Sequence, residues 1–362
     1  MAALRSALLG ALVALGVLGA TEPAALGAEG IWILDQEPGT KDDLWHYRTI
    51  PQVYGTVPES DFAAPRDVAV APDGRIWVLA DAPGSAEDLW VYDPSNGSWS
   101  ALPSSDFINP RAFTFAPDGR LWILDEDSGT DDEVWSYDFD TEFYETLPDS
   151  YFVDPQDIVF GPDGKLWILD REAGAVDEVW SYDFGTNFYE TIAGSSFVDP
   201  RELAFAADGR LWILDQEAGT TEDIWAYEFV GQTYATLPGS DFLDPRHLAF
   251  DASGMLWILA QEAGSNDDLW RYDFGTETYE TLAGSGFVDP RAFGFSTAFV
   301  PPVPALGPGG GALLAGLLAL AGARRRRAVR RRVGRSGAAS GDRAPVGRGP
   351  AGKHHRAMPL VA

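Results

Sequence analysis

The sequence predicts an all-β fold: a six-bladed β-propeller of four-stranded blades, closed by the last strand pairing into the first blade. Three observations predict it. Segments of the Leu-Trp-Ile-Leu type begin at Ile31, Ile76, Leu121, Leu166, Leu211 and Leu256, each 45 residues after the one before. Every unit carries four short segments of strand character, and four strands in about 45 residues is the length of one propeller blade. The third observation is phase. Calling the strands a to d, the repeat enters at strand b near Ile31 and leaves after strand a at Arg291 to Phe295. The final strand therefore completes the first blade and removes an open edge.

The chain begins with the pattern of a secretory signal peptide, assigned to residues 1–28. Arg5 supplies the positive start, Leu8 to Ala20 an apolar segment, and Ala25-Leu26-Gly27 a small-x-small cleavage site. Residues 29–299 form the propeller. In the unit around Leu211, Leu203 and Phe205 alternate with smaller or polar residues, as a half-buried strand requires. Asp208-Gly209 supplies the hairpin turn, because Gly accepts the positive φ such turns need. Leu211 to Leu214 is apolar on both faces, the mark of a strand buried between two layers. Ile224 to Tyr227 and Tyr234 to Leu237 complete the blade. Helical repeats are excluded by the two-residue alternation and the Asp-Gly turns. Twelve of the 13 Trp fall in two repeated columns inside strands, which points to packing between blades. Asn96-Gly97 makes the turn between strands c and d of its unit.

The core Pro162-Asp163-Gly164-Lys165-Leu166-Trp167 is similar to that of NHL-type, streptogramin-lyase-like and SMP-30-like propellers. The resemblance covers residues 31 to 296 and implies the fold. It implies no particular activity, because propellers host many functions. Its lyase-like and lactonase-like members use His, Glu and metal ligands at unrepeated positions. The matching candidates here are His46 and His247, and neither has a unique acid beside it in sequence.

Beyond the propeller, residues 300–308 are a Pro-rich spacer and 309–332 an apolar helix followed by seven Arg within nine residues. A helix satisfies its own backbone in lipid, and the Arg cluster marks the cytoplasmic side. The expectation is a C-terminal transmembrane helix. With Val303-Pro304-Ala305-Leu306 ahead of it, this end resembles the IPTL-CTERM and PEP-CTERM sorting signals. That implies an envelope processing protease as partner, transient membrane anchoring, and delivery to the cell surface or medium. Residues 333–362 are basic, Gly/Pro/Ala-rich and without pattern, the composition of a disordered tail.

Charge narrows the function. Twelve of the 26 Lys and Arg lie from Arg324 onward and one is Arg5; between them 13 cations face 53 acids, a net −40. Such a domain repels nucleic acid and anionic lipid. The absence of Cys excludes disulfides, zinc-thiolate sites and a thiol nucleophile. Before each hydrophobic-Trp pair stand two acids: Asp42 and Asp43, Glu87 and Asp88, Asp132 and Glu133, Asp177 and Glu178, Glu222 and Asp223, Asp267 and Asp268. These twelve are the candidate binding residues, on a face expected to take Ca2+ or a cationic or polysaccharide partner. A competing reading pairs the acids with the Pro-Arg column of Arg66, Arg111, Arg201, Arg246 and Arg291, in which Gln156 is the exception. No cofactor is required, and the propeller is expected to be monomeric. The function expected is a secreted, envelope-sorted, non-catalytic binding or display module. The alternative is a propeller enzyme of lyase or hydrolase type, working in the central channel.

Overall fold

A computed structural model describes residues 30–36, 43–48, 52–80, 88–105, 107–126, 133–171, 178–195, 197–216, 223–261 and 268–296. The segments read from sequence as signal peptide, spacer, C-terminal helix and basic tail, and the first acid of every pair, lie outside the described residues. The described residues hold 24 strands in six four-stranded antiparallel sheets. The repeat and the sheets coincide: each blade is one a-b-c-d unit, and the a strands touch one another around the centre.

Closure runs as expected. The strand Pro290–Phe295 pairs with Gly30–Asp35, with Ile31 opposite Phe295 and Ile33 opposite Phe293. The first blade thus takes its innermost strand from the end of the repeat. Trp32 Nε1 donates to Ser296 Oγ across the same junction (3.1 Å).

The b strands are buried along their whole length, from Ile31 to Leu34 in the first blade and from Leu211 to Leu214 in the fifth. Each forms the middle of a sheet whose two faces meet neighbouring blades, so apolar residues are needed at every position. The d strands are largely exposed, which explains their polar composition. Asp-Gly turns close the a–b hairpins, and Gly74, Gly119, Gly164 and Gly209 all hold φ between 79° and 89°. Both Trp columns pack as blade filler. The first is buried in the b strands, and the second meets a Phe ring of the segment joining two blades, as in Phe242 against Trp270 at 5.8 Å.

Candidate functional site in the channel mouth

The segment joining strand d to the next strand a reads Phe-x-x-Pro-Arg, and it is held by the acids that precede the Trp. The second acid of each pair is buried: Asp43, Asp88, Glu133, Glu178, Asp223 and Asp268. Each accepts a hydrogen bond from the backbone N–H of the Phe 19 residues later. Phe62 donates to Asp43 (2.8 Å), Phe107 to Asp88 (2.7 Å) and Phe152 to Glu133 (2.9 Å). Phe197 donates to Glu178 (2.6 Å), Phe242 to Asp223 (2.7 Å) and Phe287 to Asp268 (2.7 Å). The carboxylate belongs to one blade while the Phe ring enters the next. Six of the twelve candidate binding residues are therefore latches inside the structure. Burial, opposed by the Phe152 N–H, pushes the Glu133 carboxyl up to about 7.

Two further columns add to the latch. Ser60, Ser105, Ser150, Ser195, Ser240 and Ser285 are fully buried, and their hydroxyls accept backbone N–H groups at the start of strand c. At the end of strand b, Asp35, Asp125, Asp170 and Asp215 each accept two consecutive backbone N–H groups, such as Val153 and Asp154 on Asp170. Ala80 and Ala260 replace them in the second and sixth blades.

The Pro-Arg column sits above this frame as a chain of ion pairs. Arg201 bridges Asp199 (3.0 Å) and Asp244 (3.3 Å); Arg246 bridges Asp244 (2.6 Å) and Asp289 (3.5 Å). Arg111 joins Glu126 to Asp154, and Arg291 joins Asp289 to Gln36. In the fourth blade Gln156 stands in the Arg position. Arg171, from the end of strand b, fills the gap by bridging Asp154 (2.7 Å) and Asp199. Elsewhere the position of Arg171 is Gln, Glu or Asp. Sequence reading saw the exception at Gln156 but not its compensation, because the two columns are neighbours only in space. Substituting Arg171→Gln should lower stability by about 1 kcal/mol, the worth of a partly exposed networked pair, or roughly 2–4 °C of Tm. Adding Gln156→Arg should restore most of it in a thermal melt.

Below the Arg residues lies a polar cavity of about 230 Å³ at the mouth of the central channel. Its rim carries Arg66, Arg111, Arg171, Arg201, Arg246 and Arg291; its wall carries Asp67, Asp157, Glu202 and His247. The wall residues share one register, the third position of strand a, whose six members are Asp67, Ala112, Asp157, Glu202, His247 and Ala292. Around it, the first position is Pro in every blade and the fourth is always apolar. The third column alone mixes acid, base and Ala, so here a symmetric frame carries an asymmetric site.

The four polar members divide by contact. Asp67 accepts the N–H groups of Val68 (2.7 Å) and, in the next blade, Phe113 (3.2 Å). Asp157 accepts those of Ile158 (2.7 Å) and Leu203 (2.7 Å). Both tie adjacent inner strands together. Glu202 instead meets His247 of the following blade, Oε1 to Nε2, at 3.1 Å. His247 is nine-tenths buried with its ring edge-on to Phe293 (4.7 Å), and its Nδ1 is buried with no partner among the described residues. Burial raises the Asp67 carboxyl to about 6. Asp157 rises to about 7 through burial, with Asp67 adding repulsion. Glu202 is raised well above the usual range by burial and then by Asp157 and Asp67. Burial lowers His247 to about 3. The two lie 3.1 Å apart, and burial disfavours the charged form of each. A buried N–H without a partner is rarer than a buried lone pair without one, so the imidazole hydrogen belongs on Nε2, donating to Oε1.

His46, the other candidate, lies in strand c of the first blade. It stacks on Trp32 at 4.1 Å, and burial lowers it to about 4. Gly30 makes room for it, since a Cβ there would stand 2.3 Å from Nε2. It does not reach the channel cavity. Sequence reading found no acid beside His247 because Glu202 is 45 residues away; aligning the six units and asking which inner-strand column varies would have found the pair. Among the described residues no group of three or more His, Asp or Glu converges as a metal set.

A pH dependence follows from these shifts. Asp67, Asp157, Glu202 and Glu133 bind protons more tightly folded than unfolded, so their contribution to stability falls as pH rises through their folded values. His46 and His247 act oppositely: they bind protons more tightly unfolded, and stability falls as pH drops below about 6.5. Above that point only the acid effect remains. Tm should fall between pH 6.5 and 8, and Asp157→Asn should flatten that slope in a series of melts.

No family model and no curated protein matches the chain. Solved structures do. A chain from a nidogen/laminin complex is 14% identical with a TM-score of 0.59, covering 74% of this chain and 98% of that one. TolB from Acinetobacter baumannii is 18% identical with a TM-score of 0.59, covering 74% of this chain and 66% of that one. At these identities the likeness shows the shared propeller fold.

Proposed function

We propose that this protein is an exported binding module whose ligand site is the channel mouth. The observation that carries the reading is the asymmetric third column of strand a, which lines a polar cavity inside a largely repeated frame. Ligand sites are concave and largely preformed, with a few convergent polar groups that fix the ligand. Export and envelope sorting are supported by the signal-like start and the Arg-flanked apolar end of the sequence. The six buried acids support the frame. An outer role, including Ca2+ binding, would rest on Asp42, Glu87, Asp132, Asp177, Glu222 and Asp267. A thermal-shift screen of envelope polysaccharides and small metabolites tests the reading. Ligands should raise Tm, and Ala112→Leu, which plugs the cavity, should cancel the rise. Hits indifferent to Ala112→Leu would move binding to another surface.

A second reading is favoured by one contact. His247 on Glu202, with Asp157 nearby on the same wall, is an arrangement suited to proton transfer. Among the described residues the cavity lining has no Ser, Thr, Cys or Lys nucleophile. Turnover of any lyase or hydrolase substrate that disappears in His247→Ala while Tm is kept would favour an enzyme over a binding module.

A further inference from the structure

We infer that the channel mouth takes a small oxyanion, a carboxylate or a phosphate, held between the guanidinium rim and the Glu202 carboxyl. This rests on the channel-site reading above and names its ligand class.

The first argument is the placement of charge. Six of the 13 cations in a domain of net charge near −40 line this one cavity. Rim acids pair with these Arg residues, and this cavity is where guanidinium groups converge on one space. Guanidinium groups match carboxylate and phosphate geometry with two parallel hydrogen bonds. The ion-pair chain orients them without exhausting them. Each has five N–H donors; Arg171 uses three in its contacts with Asp154 and Asp199, and Arg201 uses four.

The second argument is the inventory of the wall. Asp67 and Asp157 already accept two backbone N–H groups each. The rim acids Asp154, Asp199, Asp244 and Asp289 accept from Arg. Glu202 has one oxygen on His247, and its Oε2 has no partner among the described residues. Burial and two neighbouring acids favour the protonated form of that carboxyl, in which it donates. The Arg N–H groups and this acid are the donors facing the cavity, and they suit an acceptor-rich guest. Size sets the third limit. A cavity of about 230 Å³ is below the range of roughly 300–1,000 Å³ typical of drug-sized ligands. Phosphate or a short dicarboxylate fits that limit; a polymer chain does not.

Calorimetric titration of the full chain with inorganic phosphate, succinate, glucose and spermidine tests the inference. At least one of phosphate and succinate should bind saturably at one per chain, and which of them binds tells the source of the anion. Ala112→Leu should weaken that binding at least tenfold. Glu202→Ala, which removes the carboxyl from the wall, should weaken it as well. Absence of binding by both oxyanions, or binding unchanged in Ala112→Leu, overturns the inference. If instead glucose or spermidine binds and Ala112→Leu abolishes it, the oxyanion falls and the channel site stands. If no binding responds to Ala112→Leu, both fall.

Discussion

A chain ending at Asp289 should fail to fold cooperatively, whereas a chain ending at Phe299 should give a single sharp melting transition. The ten residues between them contain the strand that closes the ring. Phe293 and Phe295 are buried there, and Ala292 packs in the core beside the second blade. Losing a buried Phe side chain costs about 3–5 kcal/mol. Two of them come to about 6–10 kcal/mol before the lost hydrogen bonds to Gly30–Asp35 are added, comparable with the roughly 5–15 kcal/mol that holds a typical domain folded. The first blade would also present an unpaired edge along a fully apolar strand, an invitation to aggregate. Circular dichroism melts of both chains decide the point. Equal transitions would mean that closure does not carry the fold.

Asp223→Ala should be the most damaging single substitution among the acids, at about 2–4 kcal/mol. It leaves the buried Phe242 N–H without its acceptor, and an unsatisfied buried donor costs about 1–3 kcal/mol before the lost packing is added. Asp223→Asn keeps one acceptor oxygen and should cost about half as much. Asp61→Ala, at an exposed acid of the segment after the first blade, should stay within about 0.5 kcal/mol. Urea denaturation separates the three. If Asp223→Ala and Asp61→Ala behaved alike, the latch would be wrong.

These two experiments follow the division between what could and could not be read in the sequence. Blade number, strand order and closure were legible because strand periodicity and turn residues are local, and the 45-residue spacing places every unit in phase. The burial of Asp43, Asp88 and their counterparts was not legible. In sequence they are simply the second of two acids before a loop-to-strand boundary. Their partners are backbone N–H groups 19 residues on, which carry no residue signature. The channel site was hidden for a related reason. Glu202 and His247 occupy the same position of neighbouring units, so the fold brings together residues that a scan of sequence neighbours keeps apart. Arg171 and Gln156 show the same effect on the rim.

Repeated columns build the frame, and the variable third column of strand a, at the channel mouth, is proposed to serve a ligand. If so, Glu202 and His247 are carried at a cost to stability, as groups that serve function often are, since a buried pair of ionisable groups contributes little or unfavourably to folding. Ala112 and Ala292 show that the same register accepts Ala in two other blades. The direct measurement is the Tm of the double variant Glu202→Ala/His247→Ala in the full chain, beside wild type. A Tm equal to or above that of wild type is expected. A fall as large as that of Asp223→Ala would show that the pair belongs to the frame and contradict the claim.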